Sequence, residues 1–408
     1  MSDAAIQNEE KQRAIEFSFP ILTLRTQKLT GFFNRLGALR ISGALSWLSP
    51  IIVPVVAGIG LFMLFSSLVT VLGAPAVREI SRTLGPGAYL LLPGINPVLP
   101  VFYGWLAIIC AMTIHEIAHG VVARNLGLRV KSSGLLFLIF IPIGAFVDVD
   151  ETQIARARPR NSLRVMAAGV GANIVVAVVC ILGVLLIVNG LTPVVDGVYV
   201  YDVIDGMPAD QAGILAKDVF VSADGVQISN YEQLKALLDS KIPGDEINLT
   251  MARGEKWDNL FSTSVELVES DGRAIMGLNL SELMTRERLS YYQNFSLSSL
   301  SLYLVPPALA PGLVPFSDSA APLYSHWVGE QWHVYANILF WLWFVNVNVA
   351  VFNALPIYPM DGGRMFNIVL EYVLGRKAGE KTVRRITIAV TVILIVVVLL
   401  IAVIPFIL

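Results

Sequence analysis

Between Val101 and Val122 the chain reads VFYGWLAIICAMTIHEIAHGVV. The run is apolar over about 20 residues, the length a helix needs to cross a hydrocarbon core. Its second half departs from that pattern, because His115, Glu116 and His119 are ionisable groups inside an otherwise apolar segment. Such groups are expensive in a bilayer and by default functional. Residues four apart share one helical face, so His115 and His119 point the same way, with Glu116 beside them. Two imidazoles so placed can bind one zinc ion while the neighbouring carboxylate activates water. On a soluble helix the same triplet is usually coincidence, and the apolar setting is what favours a metal site here.

The rest of the chain fits a bilayer. Of 408 residues, 55% are hydrophobic and only 15% charged, well apart from a soluble domain. A net charge of −2, with no basic stripe interleaved with aromatic residues, argues against nucleic acid as a partner. Cys110 and Cys180 both sit in apolar runs, where a small buried hydrophobe is the default reading. Met1 to Arg40 mixes acidic and basic residues, unlike a signal peptide. The first span is therefore expected to act as its own insertion signal. Apolar runs give five spans, at 48–73, 101–124, 163–190, 333–374 and 384–408, the fourth broken at Pro356 and Pro359.

Lys and Arg gather in short loops on the cytoplasmic side. Residues 125–162 and those after Asp361 are rich in both, whereas the loop at 74–100 has only Arg78 and Arg82. With Lys11, Arg13, Arg25, Lys28, Arg35 and Arg40 in segment 1–47, the N-terminus is expected in the cytoplasm and loop 74–100 outside. The HEIAH stretch then lies near the cytoplasmic side of a membrane, expected to be the cell membrane. Within 125–162, the stretch GLLFLIFIPIGAFV at 134–147 is too short to span as a helix. Its β-branched and aromatic residues, with Pro142 and Gly144, suggest a re-entrant β hairpin or loop bordering the membrane; a buried strand of a soluble core is the plainer alternative.

From 193 to 284 the texture is that of a soluble α+β module. VYVYDVI reads as a strand, Pro208 to Ile214 as a short helix, VFVSADGVQI as strands around a DG turn, and Asn230 to Leu238 as a capped helix. INLTMAR and FSTSVELV add strands on either side of GEKWD. Pro208, Ala209, Ala212, Gly213, Asp218, Asp224 and Gly225 resemble the motif of bacterial PDZ domains, with Lys217 where that family usually has glycine. The charge pattern puts this module on the extracytosolic side, followed by an interfacial connector at 285–332.

Catalytic zinc usually takes three protein ligands, so a third is needed. His326 and His333 fall on the wrong side of the membrane in this topology. Asp361, in NALPIYPMDGGR from Asn353 to Arg364, lies level with HEIAH at the end of the broken span. The same position also suits a cap for the helix from Gly362 to Leu374, and the residues alone leave both readings open. Asn346 and Asn353, seven apart, share a helical face. Asn353 is a candidate to position a substrate carbonyl or its oxyanion, and interhelical hydrogen bonding explains either amide equally well. Gly169 and Asn173, in GVGAN on the third span, are candidates for structural support.

HEIAH followed far downstream by NALPIYPMDGG in another span resembles the site-2 protease family of intramembrane zinc metalloproteases, as do GVGAN and GAFVDVDE at 144–151. The resemblance implies one Zn2+ per chain held by His115, His119 and Asp361, with Glu116 as catalytic acid and base. It also implies transmembrane proteins as substrates, cut within their membrane segments, and a PDZ-like module that binds or screens peptides or ectodomains. A substrate helix must unwind to expose its backbone, at several kcal/mol per unpaired group, and the stretch at 134–147 could offset that by pairing with it as an added strand. Two other classes fit less well. A metal transporter leaves Glu116 without a role, and a silent PDZ scaffold leaves an intact ligand set unused.

Overall fold

The computed structural model describes residues 14–139, 141–194, 198–254, 257–270, 272–281, 286–294, 296–310 and 314–408. Lys11, Arg13 and the middle of GEKWD lie outside the described residues. The chain divides into two units, one built from 1–181 with 340–408 and the other from 182–339.

The first unit opens with strands β1 (Ile15–Ser18) and β2 (Ile21–Thr26), helix α1 (Thr30–Gly37) and the long α2 (Arg40–Gly73). Helix α3 (Pro75–Leu84) precedes α4 (Val101–Asn125), which starts directly after Pro100. Strands β3 (Val130–Leu138) and β4 (Ile141–Val149) form a hairpin, then α5 (Glu151–Arg156) leads into α6 (Pro159–Asn189). The hairpin joins a four-stranded antiparallel sheet in the order β1-β2-β3-β4. Two of its strands thus come from the N-terminal segment, which the charge pattern alone had left without structure. β2 pairs Ile21 with Leu138 and Thr26 with Ser133, so IPIGAFVDV in β4 forms one edge of the sheet.

The second unit holds β5 (Thr192–Pro193), β6 (Val198–Val203), α7 (Pro208–Gln211), β7 (Val219–Ala223), β8 (Val226–Gln227) and α8 (Tyr231–Asp239). β9 (Glu246–Arg253), β10 (Asn259–Glu266), β11 (Val268–Ser270), β12 (Arg273–Ile275) and β13 (Leu278–Ser281) follow, then α9 (Arg286–Gln293), α10 (Leu297–Leu302) and β14 (Tyr324–Ser325). Its main sheet runs β10-β9-β7-β6-β13 over a core of Val198, Phe220, Leu234, Ile247, Leu249 and Met251. Asn230 caps α8 by accepting from the Gln233 amide at 2.9 Å, as its residue type favours. Asp224 and Gly225 both take positive φ in the β7–β8 turn, the conformation a two-residue hairpin demands. Lys217 has φ 78°, in the left-handed region that glycine occupies at least cost.

The chain ends with α11 (Trp332–Ala354) and α12 (Asp361–Ile407), the latter kinked at Gly379. Between them Leu355–Met360 is non-helical, as Pro356 and Pro359 require. A Cβ on Gly362 would meet the Ala354 carbonyl oxygen at 2.1 Å, and one on Gly363 would meet the Ile357 backbone at 2.4 Å. Only glycines let the start of α12 fold back so closely on the end of α11.

Among the described residues five helices are long and apolar enough to cross a membrane: Arg40–Gly73, Val101–Asn125, Pro159–Asn189, Trp332–Ala354 and Gly379–Ile407. The first starts earlier than the hydropathy alone suggests, since Ser42, Ser46 and Ser49 turn inward and are buried. Val53 and Val56 of α2, Val122 of α4, Val165, Ala168 and Val170 of α6, and Ala350 and Ala354 of α11 share one buried cluster. Small side chains at these contacts are how membrane helices approach one another without a hydrophobic drive.

Candidate metal centre

The four-residue spacing on α4 stacks His115 and His119 on one face, their ring centroids 4.9 Å apart and both rings buried. The break before α12 brings Asp361 to them. Its Oδ2 lies 3.0 Å from His115 Nε2 and 3.2 Å from His119 Nε2. One ligand atom from each of the three residues lies within 4.8 Å of the others. Asp361 is not acting as a cap: Met360 occupies that position, and no side chain caps α12.

The chemistry of this donor set fits zinc. His119 Nδ1 is 2.7 Å from the Val165 carbonyl oxygen, which can only accept, so Nδ1 carries the proton. With the ring neutral, Nε2 presents a lone pair that faces the lone pairs of Asp361 Oδ2. Two acceptors at this separation are reconciled by a cation between them. Fixing the tautomer through a backbone carbonyl is also how ligating histidines are normally oriented.

Glu116 projects beside the donors and accepts the Val147 backbone N–H at 3.0 Å. That N–H comes from the free edge of β4. Because Val147 points its backbone away from β3, the period-two alternation turns the N–H and C=O of Ala145 to the same free edge. A cavity of about 320 Å3 joins these parts, lined by His115, Glu116, His119, Val147, Asn353 and Asp361 among others.

Asn353 therefore reaches the cavity, with its Nδ2 donating to the Val349 carbonyl at 3.0 Å. Asn346 donates in the same way to Leu342 at 2.7 Å, and its buried Oδ1 has no protein partner among the described residues. Asn173 is fully buried, and neither amide atom is hydrogen-bonded among the described residues. Gly169 does more than pack: a Cβ there would sit 2.5 Å from the Nε2 and Cε1 atoms of His115. His326 accepts the Val328 N–H, and His333 lies 3.1 Å from Asp318, so each has its own partner in the second unit. The Val147 and Val165 backbone groups could not be read from the sequence, since every residue carries the same ones.

The profile of peptidase family M50 matches residues 103–398, so the chain belongs to that family. It is an intramembrane zinc metalloprotease, a metalloendopeptidase whose metal is Zn2+. An uncharacterized protein of Methanocaldococcus jannaschii is 24% identical over 87% of this chain and 79% of its own. A Clostridium perfringens protein named as a zinc metalloprotease is 24% identical over 70% of this chain and 92% of its own. The zinc metalloprotease RasP of Oceanobacillus iheyensis is 24% identical over 56% of this chain and 57% of its own. Among solved structures, the PDZ domain of an SdrC-like protein from Listeria monocytogenes is 26% identical over 21% of this chain and 88% of that one, with a TM-score of 0.19.

Proposed function

We propose that His115, His119 and Asp361 are the zinc ligands and Glu116 the catalytic acid and base. The observation that carries this is the convergence of both Nε2 atoms on Asp361 Oδ2, with the His119 tautomer set by Val165. A bound zinc ion supplies Lewis acidity, which polarises a peptide carbonyl and makes water nucleophilic near neutral pH. Glu116, held by the Val147 N–H, takes a proton from the attacking water and returns it to the leaving nitrogen. The substrate segment, unwound from its helix, lies along the free edge of β4 and exchanges backbone hydrogen bonds with Ala145. Asn353 faces the same cavity and positions the substrate carbonyl by donating its second Nδ2–H, the first being given to the Val349 carbonyl. Asn173 and Asn346 support the helices around the site. A transit site for metal would not need a carboxylate fixed beside the ligands in this way.

The charge pattern supports a cytoplasmic N-terminus, an active site near that side, and an extracytosolic module at 193–284, within the second unit. In that unit a groove of about 810 Å3, lined by Lys235, Lys241, Arg273, Met276 and Leu278, runs beside the edge strand β13. We assign it the peptide- or ectodomain-binding role of a PDZ-like domain that screens membrane-anchored substrates. The ligand assignment is tested by counting zinc on the purified chain. The wild type should carry one ion, and Asp361→Ala should lose it. Full zinc in Asp361→Ala, with loss in His326→Ala or His333→Ala, would overturn the ligand set.

A further inference from the structure

Arg164, in the second turn of α6, is only 7% exposed. Among the described residues no carboxylate pairs with it. Its Nε donates to Ser46 Oγ at 3.2 Å, its Nη2 donates to the same oxygen, and its guanidinium lies 4.3 Å over the Trp47 ring. A hydroxyl and a ring face leave the charge uncompensated, and Nη1 has no protein acceptor among the described residues. Arg160, one turn earlier, is exposed, and among the described residues it likewise has no carboxylate partner. A buried cation without a counter-ion is costly, so the arrangement calls for an anion from outside the chain.

The depth and surroundings say which anion. Trp47 is 54% exposed beside the exposed Leu45, Leu48 and Ile51, the position an aromatic ring takes at a membrane interface. Leu45 and Leu48, the residues flanking Ser46 and Trp47 on α2, line an apolar cavity of about 250 Å3 between α2, α4 and α6, together with Ile52, Ala118, Ala168 and Ala172 among others. Ala168, Ala172 and Val176 follow Arg164 at four-residue steps along α6, so the trough runs roughly 12 Å along that helix from Ala168 to Val176. Ser42 and Ser49, which also line it, spend their hydroxyl protons on the Leu36 and Leu45 carbonyls. The trough is therefore suited to hydrocarbon, and Arg164, one turn before the lining residue Ala168, offers a guanidinium fork that matches the oxygens of a phosphate.

We propose that the groove between α2, α4 and α6 binds one anionic phospholipid, its phosphate on Arg164 and an acyl chain in the trough. The site is separate from the metal donors, and its occupant packs against Ala118, between the two histidines of α4.

Native mass spectrometry of the delipidated full chain, titrated with phosphatidylglycerol, tests this. One saturable adduct per chain is expected, with phosphatidylcholine about tenfold weaker and millimolar inorganic phosphate unable to displace it. Arg164→Gln should weaken the adduct at least tenfold. Ala172→Phe should do the same by filling the trough with Arg164 intact, and Trp47→Leu, at an exposed position, should cause a smaller loss. Zinc content checks that each variant is folded. Unchanged phosphatidylglycerol binding in Arg164→Gln would overturn the proposal. So would displacement by inorganic phosphate with Ala172→Phe silent, which would mark a site for a free anion only.

Discussion

The backbone N–H of Val147 donates to the Glu116 carboxylate across 3.0 Å, tying the edge of a sheet to a residue of the HEIAH helix. Removing only that donor separates positioning from ligation. Proline is tolerated on an edge strand whose N–H faces outward, so Val147→Pro should keep one zinc per chain while lowering kcat about 10- to 100-fold, the worth of a hydrogen bond to a charged group. Val147→Ala should behave as wild type. Single-turnover rates with zinc counted in parallel check this. A Val147→Pro enzyme at full rate would show that the sheet does not hold Glu116.

Gly169 contacts the ring of His115 so closely that a methyl group would sit 2.5 Å from it. Gly169→Ala should push the imidazole out of line and weaken zinc binding by about 10- to 100-fold, as losses around a ligating histidine do. Gly58→Ala, where a Cβ meets nothing within 4 Å, should change nothing. Competition with a chromogenic chelator measures both. Equal affinity in the two variants would mean that α6 does not set the position of His115.

HEIAH was legible because ionisable residues stand out in an apolar span, and NALPIYPMDGG because two prolines and two glycines punctuate the break between α11 and α12. Asp361 was ambiguous in sequence since a helix start suits an aspartate in either role; its contact with both histidines replaced the cap. Less legible was the sheet. Ile15–Ser18 and Ile21–Thr26 are short and follow a polar N-terminal stretch, so nothing local announced that Ile21–Thr26 pairs with the hairpin at Val130–Val149, more than a hundred residues away, and carries Ile15–Ser18 with it into the sheet. The buried Arg164 read only as one more basic residue marking the cytoplasmic side. Its partners, Ser46 and Trp47, lie on another helix that no periodicity connects to it.

Residues 224 and 381 should label from opposite sides of the membrane. Single cysteines at the exposed positions Asp224 and Lys381, in a chain with Cys110 and Cys180 removed, should react with an impermeant maleimide from outside only at Asp224. The Lys and Arg asymmetry around the spans sets this expectation. Labelling of both from one side would reverse the topology and reopen His326 and His333 as ligand candidates.

Cleavage of a reporter transmembrane helix by the purified chain in detergent, with Glu116→Gln alongside and zinc counted in both, decides the role of Glu116. The wild type should cut within the membrane segment in a zinc-dependent way. Glu116→Gln should hold one zinc with the rate down by about 100- to 10,000-fold, the usual worth of a positioned acid and base. A Glu116→Gln chain that holds its zinc and cuts at the wild-type rate would contradict that role.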